Sequence, residues 1–131
     1  MFFHERFWRQ MSALPPDVFE SALARLHVRP EGMGEEVREA LSLIYYFKVR
    51  GSVILRLRRK DFEFKGSKTV FVSLPQWGFR PAQKVRFVIP SEVLQRVAMR
   101  FGLLGGFPEL SRFKNPRRVL WRASKRLLQS L

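Results

Sequence analysis

One short motif in the sequence suggests catalysis. Glu63 and Lys65 flank Phe64 in a Glu-x-Lys spacing that resembles the signature of metal-dependent nucleases. Such sites need a further carboxylate on the same face, because a divalent cation binds several oxygen ligands. The nearest acids do not supply one, since Glu39 lies within a predicted helix and Asp61 is only the next alternating residue. We therefore expect no enzymatic activity and no metal or other cofactor, with a metal-dependent nuclease as the alternative.

Other residue types that carry chemistry are sparse. The chain has no cysteine, which excludes disulfides and thiolate metal sites. Its two histidines, His4 and His27, are too far apart in sequence to suggest a metal site or an acid–base pair. The glycine-rich stretch 102–106 lacks the Lys-Ser/Thr ending of a phosphate-binding loop, so we do not expect nucleotide hydrolysis.

Positive charge is the most abundant chemical feature of the chain, and it is unevenly distributed. The formal net charge is +14. Residues 1–63 contain 11 basic and 9 acidic residues, whereas residues 64–131 contain 14 basic and 2 acidic ones. Such an excess destabilises the compact state by self-repulsion, and a polyanion relieves it. The second half is therefore expected to bind a polyanion, nucleic acid first, although a merely solubilising surface is the alternative.

The last predicted helix concentrates this charge. Asn115 is a favourable N-cap and Pro116 a favourable first residue, which predicts a helix running nearly to Leu131. Arg117 and Arg118 fall in its first turn, where like charge costs roughly 0.3–1 kcal/mol each. A phosphate bound there would reverse that sign. The residues predicted to contact phosphate in this region are Lys114, Arg117, Arg118, Arg122, Lys125 and Arg126.

A second basic surface is predicted on the outer face of an antiparallel sheet. Alternation after Gly51 predicts strand structure over 53–60 that continues through Phe62 and Phe64 to Lys65. A hairpin turn at Gly66-Ser67 then leads to a strand over 68–74, and a last strand covers 84–89. Phe71 would lie on this face, where cations beside an aromatic ring suit single-stranded nucleic acid. The alternative is that helices cover the face. The basic residues predicted there are Arg56, Arg58, Lys84 and Arg86.

A protein partner is the alternative to nucleic acid. Aromatic residues surrounded by arginine could anchor the chain on the acidic surface of a larger machine, such as RNA polymerase or a viral particle. The expected docking aromatics are Phe3, Phe7, Trp8, Trp77 and Trp121. Neither DNA nor RNA is favoured by the sequence, and it does not indicate an oligomeric state.

The predicted helices and strands that position the basic and aromatic residues indicate an α+β fold in a single domain, residues 1–131. Helices over 17–28 and 35–48 pack on a sheet of three to four strands within 52–89, and two helices follow in a basic part, 91–131. Residues 102–114 are predicted to be a loop. The longest apolar run is too short to span a bilayer and no signal peptide is evident, so a cytoplasmic protein without membrane contact is expected.

Overall fold

A computed structural model describes residues 8–28, 33–75 and 80–131. Residues 8–12 are helical, and a mixed set of helices and strands follows. The helices are α1 (Pro16–Arg25), α2 (Gly34–Phe47), α3 (Gly51–Arg56), α4 (Ser91–Met99) and α5 (Pro116–Gln129). The strands are β1 (Phe62–Phe64), β2 (Thr69–Leu74) and β3 (Gln83–Val88), ordered β1-β2-β3 with antiparallel neighbours. The predicted α+β class is confirmed, with helices on both sides of the sheet in sequence.

The core is built around α2. Four of its side chains, Val37, Ala40, Leu41 and Ile44, are fully buried and recur at helical spacing. The remaining helices and the sheet pack around this helix through their own apolar faces. Fully buried side chains from those elements include Phe19, Ile54, Val70, Val72, Leu120 and Leu127.

The register of the sheet explains which residues face the core. Val72 lies opposite Phe62 on β1 and Val85 on β3, and all three belong to the face that packs on the helices. Phe71 lies opposite Glu63 and Arg86 on the other face. The predicted hairpin at Gly66-Ser67 is confirmed, and Gly66 has the positive φ of 152° that suits glycine.

The strand predicted over 53–60 is wrong, because the chain there forms α3 and then a 3₁₀ turn, Arg59–Asp61. Ile54 was assigned to the outer face by alternation, yet it is fully buried. Gly51, Ile54 and Leu57 recur every three residues and are all buried, so a helical repeat places them in the core. Tertiary packing therefore overrides the strand preference of the β-branched residues Val53 and Ile54.

The segment predicted as a loop over 102–114 is partly helical. A π turn, Arg100–Leu104, continues α4, and a 3₁₀ turn covers Leu110–Arg112. A buried ion cluster fixes the segment, since Arg100 pairs with Glu39 and lies 3.7 Å from Glu36. The Glu36 carboxylate also accepts hydrogen bonds from the backbone N–H of Glu109 at 3.1 Å and of Leu110 at 3.0 Å.

Within the described ranges, none of the helices has the length and apolar character that a membrane crossing requires.

Candidate nucleic-acid interface

An open cleft of about 1430 Å³ lies on the surface of the described residues. Four stretches of the chain line it: the N-terminal helical residues, the α2–α3 junction with α3, the end of β2, and the start of α5. The side chains that give the cleft its charge are Arg9, Lys48, Arg50, Arg56, Lys114 and Arg117. Among the described lining residues there is no Asp or Glu. We call this feature the basic cleft.

The junction between α2 and α3 shapes one wall of the basic cleft. Lys48 ends α2 with φ 55° and ψ 41°, a left-handed conformation that is uncommon for a residue with a side chain. Its ammonium group donates to the carbonyl of Ser12 at 2.8 Å and lies 3.9 Å from the centroid of the Tyr45 ring. Lys48 therefore ties the N-terminal helical residues to the end of α2.

The Lys48 side chain is exposed, but its ammonium group is partly withdrawn from water by its contacts with Ser12 and Tyr45. Burial lowers the pKa of its ammonium group from the ordinary value of 10.5. An anion in the basic cleft would favour the protonated form and offset this cost, because opposite charge raises the pKa of an ammonium group.

Gly51 begins α3 at a point where the chain is crowded. A Cβ atom at this position would lie 3.3 Å from the Trp8 ring and 3.4 Å from a methyl group of Leu120. Glycine allows the start of α3 to pack against both side chains. That close packing places Arg50, the residue immediately before the helix, at the lining of the basic cleft.

The N-terminus of α5 forms another part of the cleft lining. The Asn115 side chain accepts a hydrogen bond from the backbone N–H of Arg118 at 3.3 Å, so the predicted N-cap is confirmed. Lys114, Asn115, Pro116 and Arg117 all line the basic cleft. Positive side chains thus coincide with the positive end of a 14-residue helix, which is an unfavourable placement unless an anion lies nearby.

The exposed face of α5 extends this positive surface away from the cleft. Its apolar face is formed by Leu120, Ala123 and Leu127, which are buried against the core. The other side of the helix is exposed and carries Arg117, Arg118, Arg122, Lys125 and Arg126. No acidic residue occurs between Pro116 and Gln129. Arg118, Arg122, Lys125 and Arg126 therefore share one exposed face, and Arg117 lies at its edge, where it lines the basic cleft.

The outer face of the sheet does not concentrate positive charge in the same way. Lys84 pairs with Glu63, and Lys65 pairs with the same carboxylate at 2.8 Å. Hydrogen bonds from Lys65 and Lys84 lower the pKa of Glu63 from 4.5 to about 2, so this acid is ionised beside the two lysines at neutral pH. Arg86 remains exposed next to Phe71.

Two of the four basic residues predicted for the sheet lie elsewhere. Arg56 is the last residue of α3 and lines the basic cleft. Arg58 precedes the 3₁₀ turn, where its backbone N–H donates to Asp61 at 2.8 Å. The predicted strand is absent here, so neither residue belongs to the sheet surface.

The Glu-x-Lys motif lies on the β1 side of the hairpin, as the sequence indicated. Glu63 is on β1, and Lys65 follows the strand. Nowhere in residues 8–28, 33–75 and 80–131 do three or more His, Asp or Glu side chains form a group that could hold a metal ion. The Lys84 contact of Glu63 is a charge pair between strands, and the Lys65 contact is local.

The predicted docking aromatics are not presented as a common surface by the described residues. Trp8 is buried, with 7% of its surface exposed. Trp121 is half-buried, and the Lys125 ammonium lies 5.6 Å from its ring centroid. Phe3, Phe7 and Trp77 lie outside the described residues.

Three residues of the basic cleft were not predicted from the sequence as site residues: Arg9, Lys48 and Arg50. They belong to the half of the chain with nearly balanced charge. The available signal was the run Lys48-Val49-Arg50 next to Gly51, where a helix ends and the pattern changes.

Comparison with models of protein families, with curated proteins and with solved structures found no match to this chain.

Proposed function

We propose that this chain is a non-enzymatic nucleic-acid-binding protein that holds the phosphate backbone in the basic cleft. The observation that carries the proposal is the convergence of six basic residues, without an acidic one among the described lining residues. These six come from sequence positions as far apart as Arg9 and Arg117. Folding therefore brings together charges that are distant along the chain.

Electrostatic cost supports a polyanion as the partner. Bringing like charges together lowers the stability of the folded state. This loss of stability is reduced when phosphates neutralise the charges, and the nucleic acid then releases its condensed counterions. The volume of about 1430 Å³ also exceeds the roughly 300–1,000 Å³ typical of pockets for small ligands. An open cleft of this size suits a segment of a polymer better than a small anion.

Two variants that lose the same number of positive charges test the proposal. The cleft variant replaces Arg56, Lys114 and Arg117 with Ala, and the control variant replaces Arg58, Lys84 and Arg86 with Ala. Each removes three positive charges, and all six residues are exposed, so neither set disturbs the core. Fluorescence anisotropy with labelled DNA and RNA, single-stranded and duplex, measures the affinity of both variants and the unaltered protein.

At about 1 kcal/mol per phosphate contact, the cleft variant should bind on the order of 100-fold more weakly than the unaltered protein. The control variant should lose much less affinity, because only the general electrostatic attraction changes. Equal losses in the two variants would show that net charge, and not the basic cleft, determines binding. Absence of binding by the unaltered protein would contradict the proposal itself.

Docking on a larger protein assembly is the second candidate. Exposed apolar residues at the end of α4 and in the turn that continues it favour this function, because Met99, Leu103 and Leu104 are 62%, 77% and 57% exposed. These side chains differ from the aromatic anchors expected from the sequence. The second function predicts no appreciable affinity for bare nucleic acid and a complex that survives moderate salt but is lost in Leu103→Ser.

A further inference from the structure

The exposed face of α5 has the composition of a surface that recognises a nucleic-acid groove. It presents three arginines and one lysine, Arg118, Arg122, Lys125 and Arg126, on one side of a helix of 14 residues. Arginine is the side chain whose fork fits the O6 and N7 atoms of guanine in the major groove. Lysine supplies only a point charge and lacks this fork, whereas the same arginine fork can also hold a phosphate.

The helix is held rigidly by its opposite face. Leu120 and Leu127 are fully buried, and Ser124, also fully buried, donates a hydrogen bond to the carbonyl of Trp121 at 2.7 Å. α5 packs against α1, α2 and α3 through this face. A rigid helix with one free side can enter a groove without reorganising the domain.

The dimensions of α5 indicate which groove of a nucleic-acid duplex the helix can enter. At about 1.5 Å per residue, the distance along the axis from Arg117 to Arg126 is about 13.5 Å. A helix about 10–12 Å in diameter fits the major groove of B-form DNA, about 12 Å wide, and not the minor groove, about 6 Å wide. The major groove of duplex RNA is too deep and narrow for side chains to read.

Aromatic content argues against a single-stranded ligand on this face. Proteins that bind single strands stack bases on exposed aromatic rings. Trp121 is the one aromatic residue of α5, and it is half-buried with Lys125 above its ring. The face therefore offers cations without an open stacking platform.

The start of α5 is shared with the basic cleft, which connects the two surfaces. Lys114 and Arg117 line the cleft, and Arg118 and Arg122 follow on the exposed face. Phosphate contacts fix the position and orientation of a protein on a duplex, and groove contacts read the bases. A backbone segment in the cleft would place the first turns of α5 at the adjacent groove.

We propose that α5 inserts its exposed face into the major groove of duplex DNA while the basic cleft holds the neighbouring phosphates. This inference rests on the proposed function, because the cleft supplies the backbone contacts. It adds the ligand class, duplex DNA, and assigns base contacts to Arg118, Arg122 and Arg126.

The test compares two DNA duplexes of one sequence and identical phosphate charge. In one, the cytosines carry a glucosylated hydroxymethyl group that fills the major groove, and in the other they are unmodified. The unaltered protein should bind the glucosylated duplex about tenfold more weakly or worse, as expected when base contacts are lost. Duplex RNA and single-stranded DNA of the same sequence should also bind more weakly than the unmodified duplex.

A variant isolates the contribution of α5. Replacing Arg118, Arg122 and Arg126 with Ala should remove the preference for the unmodified duplex while residual salt-dependent binding through the cleft persists. These residues are exposed, so the variant should keep the circular dichroism spectrum and midpoint of unfolding of the unaltered protein.

Equal affinity of the unaltered protein for the two DNA duplexes, or tighter binding of RNA or of a single strand, would overturn the groove assignment and leave the cleft proposal intact. Failure to bind any of the four nucleic acids would instead contradict the proposed function. The two failures are therefore distinguishable.

Discussion

Two adjacent tyrosines, the only ones in the chain, report on the packing of α1 against α2. Tyr45 stacks on Phe19 with ring centroids 3.9 Å apart, and its hydroxyl donates to the carbonyl of Leu14 at 2.5 Å. The Tyr46 hydroxyl donates to Glu20 at 2.6 Å. Burial raises the pKa of both hydroxyls above the ordinary value of 10, and the charge of Glu20 raises it further.

These pKa shifts predict the alkaline behaviour of the protein. A raised folded-state pKa contributes stability that is fully present below about pH 10, the unfolded value, and is lost as the pH rises through the folded value. Phenolate absorbance should therefore develop above pH 10, together with loss of the circular dichroism signal. Denaturant-unfolded chain should titrate near pH 10. Reversible titration of both tyrosines at that pH, with the fold retained, would contradict the described packing.

A single substitution at the N-cap of α5 can weaken anion binding without changing the stability of the helix. Asn115→Asp keeps an oxygen acceptor for the Arg118 N–H and adds a negative charge that the helix dipole favours. The free energy of unfolding should stay within about 0.5 kcal/mol of the unaltered value. Nucleic-acid affinity should fall on the order of tenfold, because a carboxylate in the basic cleft repels phosphate. Chemical denaturation and anisotropy measure the two effects, and unchanged affinity would argue against phosphate at this helix end.

At the scale of elements, the ion cluster around Arg100 connects α4 to α2 and to the 3₁₀ turn. Arg100 is 6% exposed, pairs with Glu39 and Glu36, and lies 5.3 Å from the Phe107 ring centroid. Arg100→Leu would leave buried carboxylate charge without its cation, so we expect a loss of about 3–5 kcal/mol in the free energy of unfolding.

Arg96→Leu is the matched control for that change. Arg96 lies on the same helix and is exposed, so its replacement should alter the free energy of unfolding by about 0.5 kcal/mol or less. Denaturant titration of both variants measures the difference. Similar losses in the two variants would show that the cluster does not stabilise the fold.

The elements also show which parts of the fold the sequence could predict. α1, α2, α4 and α5 have apolar residues at helical spacing and recognisable helix starts. β2 and β3 are rich in β-branched and aromatic residues and are bounded by turn residues, so local patterns were sufficient for all six elements. α3 was missed because Val53, Leu55 and Leu57 also alternate. Its helical state depends on the burial of Ile54 beneath neighbouring elements, which a local window does not contain.

At the scale of the whole molecule, the basic cleft could be predicted only in part. The charge of the last helix was visible as a run in the sequence, and the structure places it on one exposed face. The lining residues Arg9, Lys48 and Arg50 come from other parts of the chain, and their convergence depends on how α2, α3 and α5 pack. No sequence periodicity or motif indicates that residues so far apart along the chain lie close together in the fold.

The salt dependence of DNA binding tests the central claim most directly, because each phosphate contact in the basic cleft contributes its own share of counterion release. The slope of the logarithm of the association constant against the logarithm of salt concentration would be measured for the unaltered protein, the cleft variant and the control variant. If Arg56, Lys114 and Arg117 each contact a phosphate, the cleft variant should lose about 2.7 units from the magnitude of the slope, and the control variant almost none. Equal slopes in the two variants, at equal loss of charge, would contradict the account.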